Sequence, residues 1–308
     1  MASKNRLSIA IPAYGRMQKV QRLLSQIETQ IIKYNLFQDV EVLVSSNGNI
    51  DGNKLYVDKK INYSFHENEY NLGYDLNVLQ CVRLSNFEYV WLFGSDDNIE
   101  ADTLLDLVSY LKIDTDVLLL PFRQPEIMAA PSKEYSLNLS EVNMDKKLYF
   151  LFITGKITSY VLKRKNLKLD ILDTLKPEKE HGWMHIFLAL TALKLGNQKL
   201  DAYSKFMAFS LDAEAKKIDY IPMAFKNYNI FFSHPMCDQL SKRIKKDVAK
   251  KFRFTEIFFI YKVLNRSWDS PIRDEYIEYF KIHRKRLFSL HPKTLFVFVM
   301  SLLYINAK

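Results

Sequence analysis

Two adjacent aspartates follow a short apolar run. The letters YVWLF at positions 89–93 lead directly into Gly94, Ser95, Asp96 and Asp97. A strand buried on both faces reads as an unbroken apolar run, and ligands of open α/β sheets bind outside the carboxyl ends of such strands. Carboxylates at that position can hold Mg²⁺ or Mn²⁺, with a diphosphate completing the coordination shell. The alternative is a simple Asp-rich turn, because Asp favours turns through local hydrogen bonds.

Strand and helix patterns alternate around these aspartates. Apolar runs predict strands at 7–12, 40–44, 61–65, 88–93 and 116–120. Apolar residues at helical spacing predict helices at 17–32, 76–84 and 104–111. This alternation predicts βαβ units and an α/β fold with a largely parallel sheet.

The second half of the chain is less regular. A loop is predicted at 121–140, and order returns at 149–154, 157–162 and in a helix at 183–195. With 308 residues the chain can form one large domain or two smaller ones. We predict an α/β domain over 1–225 and a basic, aromatic-rich helical region over 226–308.

Basic clusters occupy the last third, at 242–246, 250–251 and 283–286, within a formal net charge of +9. A basic face suits nucleic acid, anionic lipid head groups or a phosphorylated substrate. Since no nucleic-acid-binding motif accompanies the charge, no nucleic-acid partner is predicted. The apolar segment 294–305 is too short to span a bilayer. It is predicted to contact the membrane interface, and a packed core helix is the alternative.

Cysteine usage and the N-terminus bear on the compartment. Cys81 and Cys237 lack the CxxC spacing of a zinc site and suggest no disulfide framework. The first six residues, MASKNR, lack the apolar core of a signal peptide. We therefore expect a cytoplasmic protein, peripheral at the inner face of the plasma membrane.

Four blocks of the sequence together resemble a known family. Positions 7–16 (LSIAIPAYGR) are similar to the opening of the family 2 inverting glycosyltransferases. Positions 42–53 (VLVSSNGNIDGN), 71–77 (NLGYDLN) and 88–97 (EYVWLFGSDD) resemble that family's second, third and fourth blocks. The residues of the four blocks resemble most the abequosyltransferase-like branch of bacterial surface-polysaccharide enzymes. The resemblance covers about the first 120 residues.

The resemblance implies a GT-A fold, a nucleotide-sugar donor and a divalent cation, Mg or Mn. Asp97 would bind the metal, and Asp96 would reach the ribose and the diphosphate. The remaining residues that the family places around the nucleotide correspond to Pro12, Ala13, Tyr14, Arg16, Ser46, Asn47, Asp51, Asn71, Gly73, Asn77 and Ser95. Two of them depart from the family pattern. Ser95 replaces the first Asp of the acidic motif, and Ser46 replaces an Asp that contacts the base.

The family also places an acidic general base just before a helix in the second half of the domain. Glu180 is the corresponding candidate and Glu178 the second choice. Their alternative role is that of acids in a first helical turn, complementing the helix dipole. Trp183 is predicted to form an apolar wall against a sugar ring, and His185, on the same helix, to contact substrate.

The predicted function is inverting transfer of a sugar to a hydroxyl of a glycan or glycolipid acceptor, such as lipopolysaccharide, capsule or a lipid-linked oligosaccharide. A non-catalytic GT-A-like scaffold in a polysaccharide assembly complex is the alternative, because the serines at 46 and 95 remove two acidic groups.

Overall fold

The computed structural model describes residues 6–48, 50–111, 114–123, 137–138, 147, 151, 156–168, 170, 173, 182–203 and 207–209. The predicted domain boundary near 225 and the segment 294–305 lie outside these residues. Within the described part, no helix has both the length and the apolar character needed to cross a membrane.

Alternating strands and helices form this part of the chain. The strands are Leu7–Ala13 (β1), Val40–Ser46 (β2), Asn62–Glu67 (β3), Tyr89–Leu92 (β4), Asn98–Ile99 (β5), Val117–Leu119 (β6), Phe122–Arg123 (β7), Leu137–Asn138 (β8), Tyr160–Lys163 (β9), Leu200–Ala202 (β10) and Ala208–Phe209 (β11). The α-helices are Met17–Lys33 (α1), Gly73–Leu84 (α2), Thr103–Tyr110 (α3) and Met184–Leu195 (α4). Single 3₁₀ turns occupy Gly52–Lys54, Ile157–Ser159 and Arg164–Asn166.

The central sheet has the strand order β3-β2-β1-β4-β9-β6-β10-β8. Strands β3, β2, β1 and β4 are parallel to one another, so they end at the same edge of the sheet. Strand β9 runs antiparallel between β4 and β6, and β6 pairs with β10 in parallel. Strands β5, β11 and β7 form a second, three-stranded sheet in the order β5-β11-β7.

Helices cover both faces of the central sheet. Alternate residues of β1 point to opposite faces, with Ile9 and Ile11 in the core under α1 and α3 and Ala10 in the core under α2 and α4. Because both faces are buried, the strands read as continuous apolar runs, as the sequence predicted. Helix α4 is apolar on all sides and is almost wholly buried.

The stretch 121–140, predicted as a loop, contains the two-residue strands β7 and β8. The predicted alternation of strands and helices is otherwise confirmed, with two further differences. Helix α2 begins at Gly73, three residues before the apolar pattern that predicted it, because its first turn is polar. The second difference is β9, whose antiparallel direction cannot be read from a hydrophobic run.

Candidate active site

Three strand ends frame the candidate site. In the parallel register Ala13 at the end of β1 lies opposite Ser46 at the end of β2, and Ala10 lies opposite Leu92 of β4. The chain proceeds from β1 outward to β2 and β3 and then returns to place β4 on the other side of β1. Such a reversal of strand order leaves a crevice at the carboxyl ends, where α/β sheets bind their ligands.

An ion pair bridges this crevice. Nη1 of Arg16, just after β1, lies 2.8 Å from Oδ2 of Asp96, just after β4. The two side chains are 43% and 30% exposed, so solvent reaches the pair. Gly15 and Arg16 both have positive φ (60° and 56°), which turns the chain sharply before α1. The guanidinium and a carboxylate therefore meet at the switch point of the sheet.

Asp97 points inward from the same turn and is 2% exposed. Its carboxylate accepts a short hydrogen bond from the hydroxyl of Thr158, which in turn accepts from the backbone N–H of Gly94 at 2.9 Å. The indole of Trp91 donates to the carbonyl of Thr158 at 2.7 Å. A Cβ on Gly94 would lie 2.7 Å from Oδ2 of Asp97, so only glycine leaves room for this carboxylate.

Buried amides tie the loops of β1, β2 and α2 together. Asn77 accepts from Ser45 Oγ at 2.7 Å and donates to the Ser45 carbonyl at 3.1 Å. Asn47 donates to the carbonyl of Gly73 at 2.9 Å, and Asn68 donates to the side-chain oxygens of Asn47 and Asn77. These contacts give Asn47, Gly73 and Asn77 a role in the shape of the crevice, and their predicted nucleotide contact stays a prediction.

Three other predicted residues make local side-chain hydrogen bonds. Asn71 Oδ1 accepts from the Gly73 N–H at 2.9 Å, and Ser46 Oγ accepts from the Gly48 N–H at 3.1 Å. Asp51 accepts from the Asn53 N–H at 3.1 Å, which closes the 3₁₀ turn that follows β2. Each of these is a turn contact of the kind that short polar side chains favour.

The remaining residues of the first loop and the acidic turn differ in exposure. Pro12 lies opposite Ser45 within the sheet, and Ala13 is buried in the core. Tyr14 is 55% exposed at the mouth of the crevice, and Ser95 is half-buried in the turn before Asp96. Of these, Tyr14 offers an aromatic face to a ligand.

The predicted catalytic segment is described only from residue 182 onward, so Glu178 and Glu180 lie outside the described residues. Trp183 is buried in the core beside α2 and α4. His185 is 2% exposed, with its ring 5.0 Å from that of Tyr160 in an edge-on arrangement. Burial of this kind is typical of side chains that pack in the core. The predicted contact of Trp183 and His185 with substrate stays a prediction.

Sequence reasoning missed two residues at this edge. Thr158 holds Asp97, but a threonine before a short strand carries no motif of its own. Asp75 accepts from the backbone N–H groups of Gly182 and Met184. The signal in the sequence that could have identified Asp75 is its position inside the block 71–77.

A divalent cation would meet few protein ligands here. Among the described residues, no group of three or more His, Cys, Asp or Glu side chains is arranged to hold a metal. Asp96 and Asp97, consecutive in the turn after β4, supply two carboxylates among the described residues of the crevice. Mg²⁺ commonly uses one or two carboxylates and takes its other ligands from substrate phosphates and water, so this donor set fits it.

Two solved structures, one from S. aureus and one from Pyrobaculum calidifontis, share the fold of this chain. S. aureus TarS 1–349 in complex with UDP-GlcNAc is 18% identical, with a TM-score of 0.56 over 80% of this chain and 71% of that chain. The mannosyltransferase PcManGT of Pyrobaculum calidifontis, in complex with GDP-Man and Mn²⁺, is 13% identical, with a TM-score of 0.51 over 99% and 86%. At these identities the likeness establishes the fold, which is the GT-A arrangement that the sequence blocks implied.

Sequence comparisons identify the family. Abequosyltransferase RfbV of Salmonella typhimurium is 29% identical over 217 residues, which cover 65% of this chain. The matched part spans 64% of RfbV, less than two thirds of its length. The family model "Glycosyl transferase family 2" matches residues 8–169, more than half of the chain. The chain therefore belongs to glycosyl transferase family 2, as its four sequence blocks predicted.

Proposed function

We propose that the protein is an inverting glycosyltransferase that moves a sugar from a nucleotide-sugar donor to a hydroxyl group of a glycan acceptor. The observation that carries this proposal is the crevice between β1 and β4, where Arg16, Asp96 and Asp97 stand at the strand ends. Family membership and the relation to an abequosyltransferase support it.

Arg16 and Asp96 would bind the donor. A guanidinium recognises phosphate through its planar set of donors, and the exposed pair with Asp96 keeps it in the crevice before the donor arrives. An incoming diphosphate can replace the carboxylate as the partner of Arg16. Asp96 is then released toward the ribose, the contact that the family resemblance implies.

Asp97 is the favoured residue for holding the divalent cation, Mg or Mn, and Asp96 precedes it in the same turn. A carboxylate offers about four lone-pair sites, so the bond from Thr158 leaves Asp97 further capacity to accept. When bound, such a cation neutralises charge on the leaving diphosphate as a Lewis acid. Burial of Asp97 and its bond to Thr158 fix the direction of the carboxylate before any ligand binds.

Inversion requires a base on the acceptor side. In a single displacement the acceptor hydroxyl attacks the anomeric carbon while a carboxylate takes its proton. Glu180, with Glu178 as the second choice, is proposed for this role because both precede α4. Trp183, the N-cap residue of α4, is proposed to form an apolar wall against a sugar ring, and His185, in the first turn, to contact substrate.

The donor and acceptor classes follow from the relatives. TarS holds UDP-GlcNAc and PcManGT holds GDP-Man with Mn²⁺, so we propose a nucleoside-diphosphate sugar as the donor. The resemblance of the sequence blocks to bacterial surface-polysaccharide enzymes favours an acceptor in lipopolysaccharide, capsule or a lipid-linked oligosaccharide. Contact with the inner face of the plasma membrane, through the basic clusters of the last third, is proposed on charge alone.

A thermal-shift screen tests the proposal. UDP-, GDP-, dTDP- and CDP-linked sugars are added with Mn²⁺, with Mg²⁺ and with EDTA, and release of nucleoside diphosphate is then measured. A ligand that binds only the native state raises the melting temperature in proportion to RT ln(1 + [L]/Kd). A metal-dependent shift with turnover for one donor class is the expected result. A folded protein that shifts with no donor would overturn the transferase proposal in favour of the scaffold.

A further inference from the structure

A carboxylate from another helix caps the start of α4. Asp75, in the first turn of α2, is 1% exposed. Its Oδ2 accepts from the backbone N–H of Gly182 at 3.0 Å, and its Oδ1 accepts from that of Met184 at 3.2 Å. Trp183, the N-cap residue of α4, makes no side-chain capping hydrogen bond. Since the first N–H groups of a helix have no partners within it, Asp75 supplies the cap across 107 residues of sequence.

Helix α2 is itself fixed to the donor side of the crevice. Its first carbonyl, at Gly73, accepts from Asn47 at 2.9 Å, and Asn77 donates to the carbonyl of Ser45 at 3.1 Å. Asn47 also accepts from the N–H of Leu72 at 3.3 Å. The hydrogen bonds therefore run without interruption from the ends of β1 and β2, through α2, to the start of α4.

The chain enters α4 through a left-handed residue. Gly182 has a φ of 71°, a conformation that costs other residues more than glycine. The direction of the chain just before α4 is thus set at Gly182, whose N–H is one of the two that Asp75 binds. Glu180 lies two residues earlier in the sequence.

We infer that Asp75 is a positioning residue for the transfer reaction. By binding Gly182 and Met184, it fixes the start of α4 relative to the ends of β1 and β4, where the donor is proposed to bind. The inference rests on the proposed function. Small errors in the placement of reacting groups lower turnover without weakening the binding of a donor held elsewhere.

The variant Asp75→Asn tests the inference. The asparagine keeps the shape of the side chain, but its amide nitrogen faces an N–H group and cannot accept from it. With the sugar nucleotide that gives the fastest hydrolysis among UDP-, GDP-, CDP- and dTDP-sugars, kcat should fall about 10- to 100-fold, while the donor Kd from thermal shift changes less than about twofold.

Asp116→Asn is the matched control. Asp116 is 2% exposed and also joins two segments, because it accepts from Asn166 Nδ2 at 2.8 Å and from the Lys199 N–H at 2.9 Å. It precedes β6, which runs in the same direction as β4, so it lies at the opposite edge of the sheet from the crevice. This variant should lower the melting temperature much as Asp75→Asn does, with kcat unchanged.

Gly182→Ala is a second, milder variant that disturbs the same junction without removing a buried carboxylate. It should also lower kcat at constant donor Kd. If Asp75→Asn and Gly182→Ala both keep the wild-type kcat, or if Asp116→Asn loses as much kcat as Asp75→Asn, the inference is overturned and the proposed function still stands. A wild-type protein that neither binds nor turns over any donor would overturn the proposed function and the inference with it.

Discussion

The two edges of the central sheet both carry acidic side chains, but they use them differently. At the amino edge, Glu41 and Asp116 are buried and accept hydrogen bonds from neighbouring segments. At the carboxyl edge, Asp96 shares an exposed ion pair with Arg16, and Asp97 is held by a hydroxyl group. Acidic side chains therefore fasten loops at the amino edge, whereas at the carboxyl edge Asp96 and Asp97 are proposed to meet a ligand.

The partners explain the difference. Glu41 accepts hydrogen bonds from the hydroxyl of Ser8 and from the backbone N–H groups of Asn86 at 2.6 Å and Phe87 at 3.3 Å. Its carboxylate therefore joins β1, β2 and the loop before β4. Backbone N–H donors are held in place by the folded chain, so Glu41 cannot exchange them for a ligand while the fold is intact. The guanidinium of Arg16 sits on a side chain that can change partner, which is what binding a diphosphate requires.

The largest effect is expected for Asp97→Asn. The substitution removes a negative charge and keeps the shape, so the hydrogen bond from Thr158 can persist. Donor turnover should fall about 10²- to 10³-fold, because stabilisation of the leaving diphosphate is lost. Steady-state release of nucleoside diphosphate measures it, and Glu41→Gln serves as the control with normal turnover per folded molecule. Wild-type turnover in Asp97→Asn would contradict the assignment of this carboxylate.

Glu41→Gln should instead lower the stability of the fold. The amide NH₂ of the glutamine would face hydrogen-bond donors that the carboxylate oxygens bind in the wild type. Leaving these donors without an acceptor should lower the free energy of unfolding by about 1–3 kcal/mol. Urea unfolding followed by circular dichroism gives this quantity. An unchanged midpoint would show that the amino edge does not depend on its carboxylates as the comparison requires.

Thr158→Val should weaken binding of the proposed metal ion without replacing Asp97, its proposed ligand. Valine keeps the volume and removes the hydroxyl that orients Asp97, and loss of such a supporting contact lowers metal affinity about 10-fold. Titration calorimetry with Mn²⁺, in the presence of the nucleoside diphosphate that shifts the wild type most, measures the affinity.

The control for Thr158→Val is Ser159→Ala. The buried hydroxyl of Ser159 has no hydrogen-bond partner within the described part of the chain. Its removal should therefore leave the Mn²⁺ affinity unchanged. Equal losses in the two variants would point to packing around the 3₁₀ turn instead of to orientation of Asp97.

The smallest effect on stability is expected for Arg16→Gln. An exposed ion pair contributes less than about 1 kcal/mol, so urea unfolding should hardly change. Lys33→Gln breaks another exposed pair, with Asp102 at 2.9 Å, and should be equally mild. The two variants should differ in ligand binding, because only Arg16→Gln should reduce the thermal shift by a donor. A donor shift that survives in Arg16→Gln would remove this residue from the site.

Much of the donor-side architecture could be predicted from the sequence. The strands β1, β2 and β4 were predicted within two residues of their ends, because buried parallel strands are uninterrupted apolar runs. The parallel direction of these strands then placed the residues that follow them at one edge. The family resemblance predicted Arg16 and Asp96 at the same site, and the two side chains are in contact across 80 residues of sequence.

The sequence did not predict which polar residues would face inward. Asn47 and Asn77 matched the family blocks as residues near the nucleotide, yet their side chains are occupied by Ser45, Asn68 and the backbone. A sequence block marks where a residue is needed, and gives no information on whether a ligand or the protein itself satisfies its hydrogen bonds.

The sequence by itself determined the alternation of strands and helices, the edge at which the polar residues gather and the family, because hydrophobic periodicity and motif spacing are local properties of the chain. Only the tertiary structure decided that Thr158 would meet Asp97 and that Asp75 would cap α4. These contacts join residues 61 and 107 positions apart. They depend on strand register, on the antiparallel insertion of β9 and on helix packing, which arise when distant segments bury their apolar faces together.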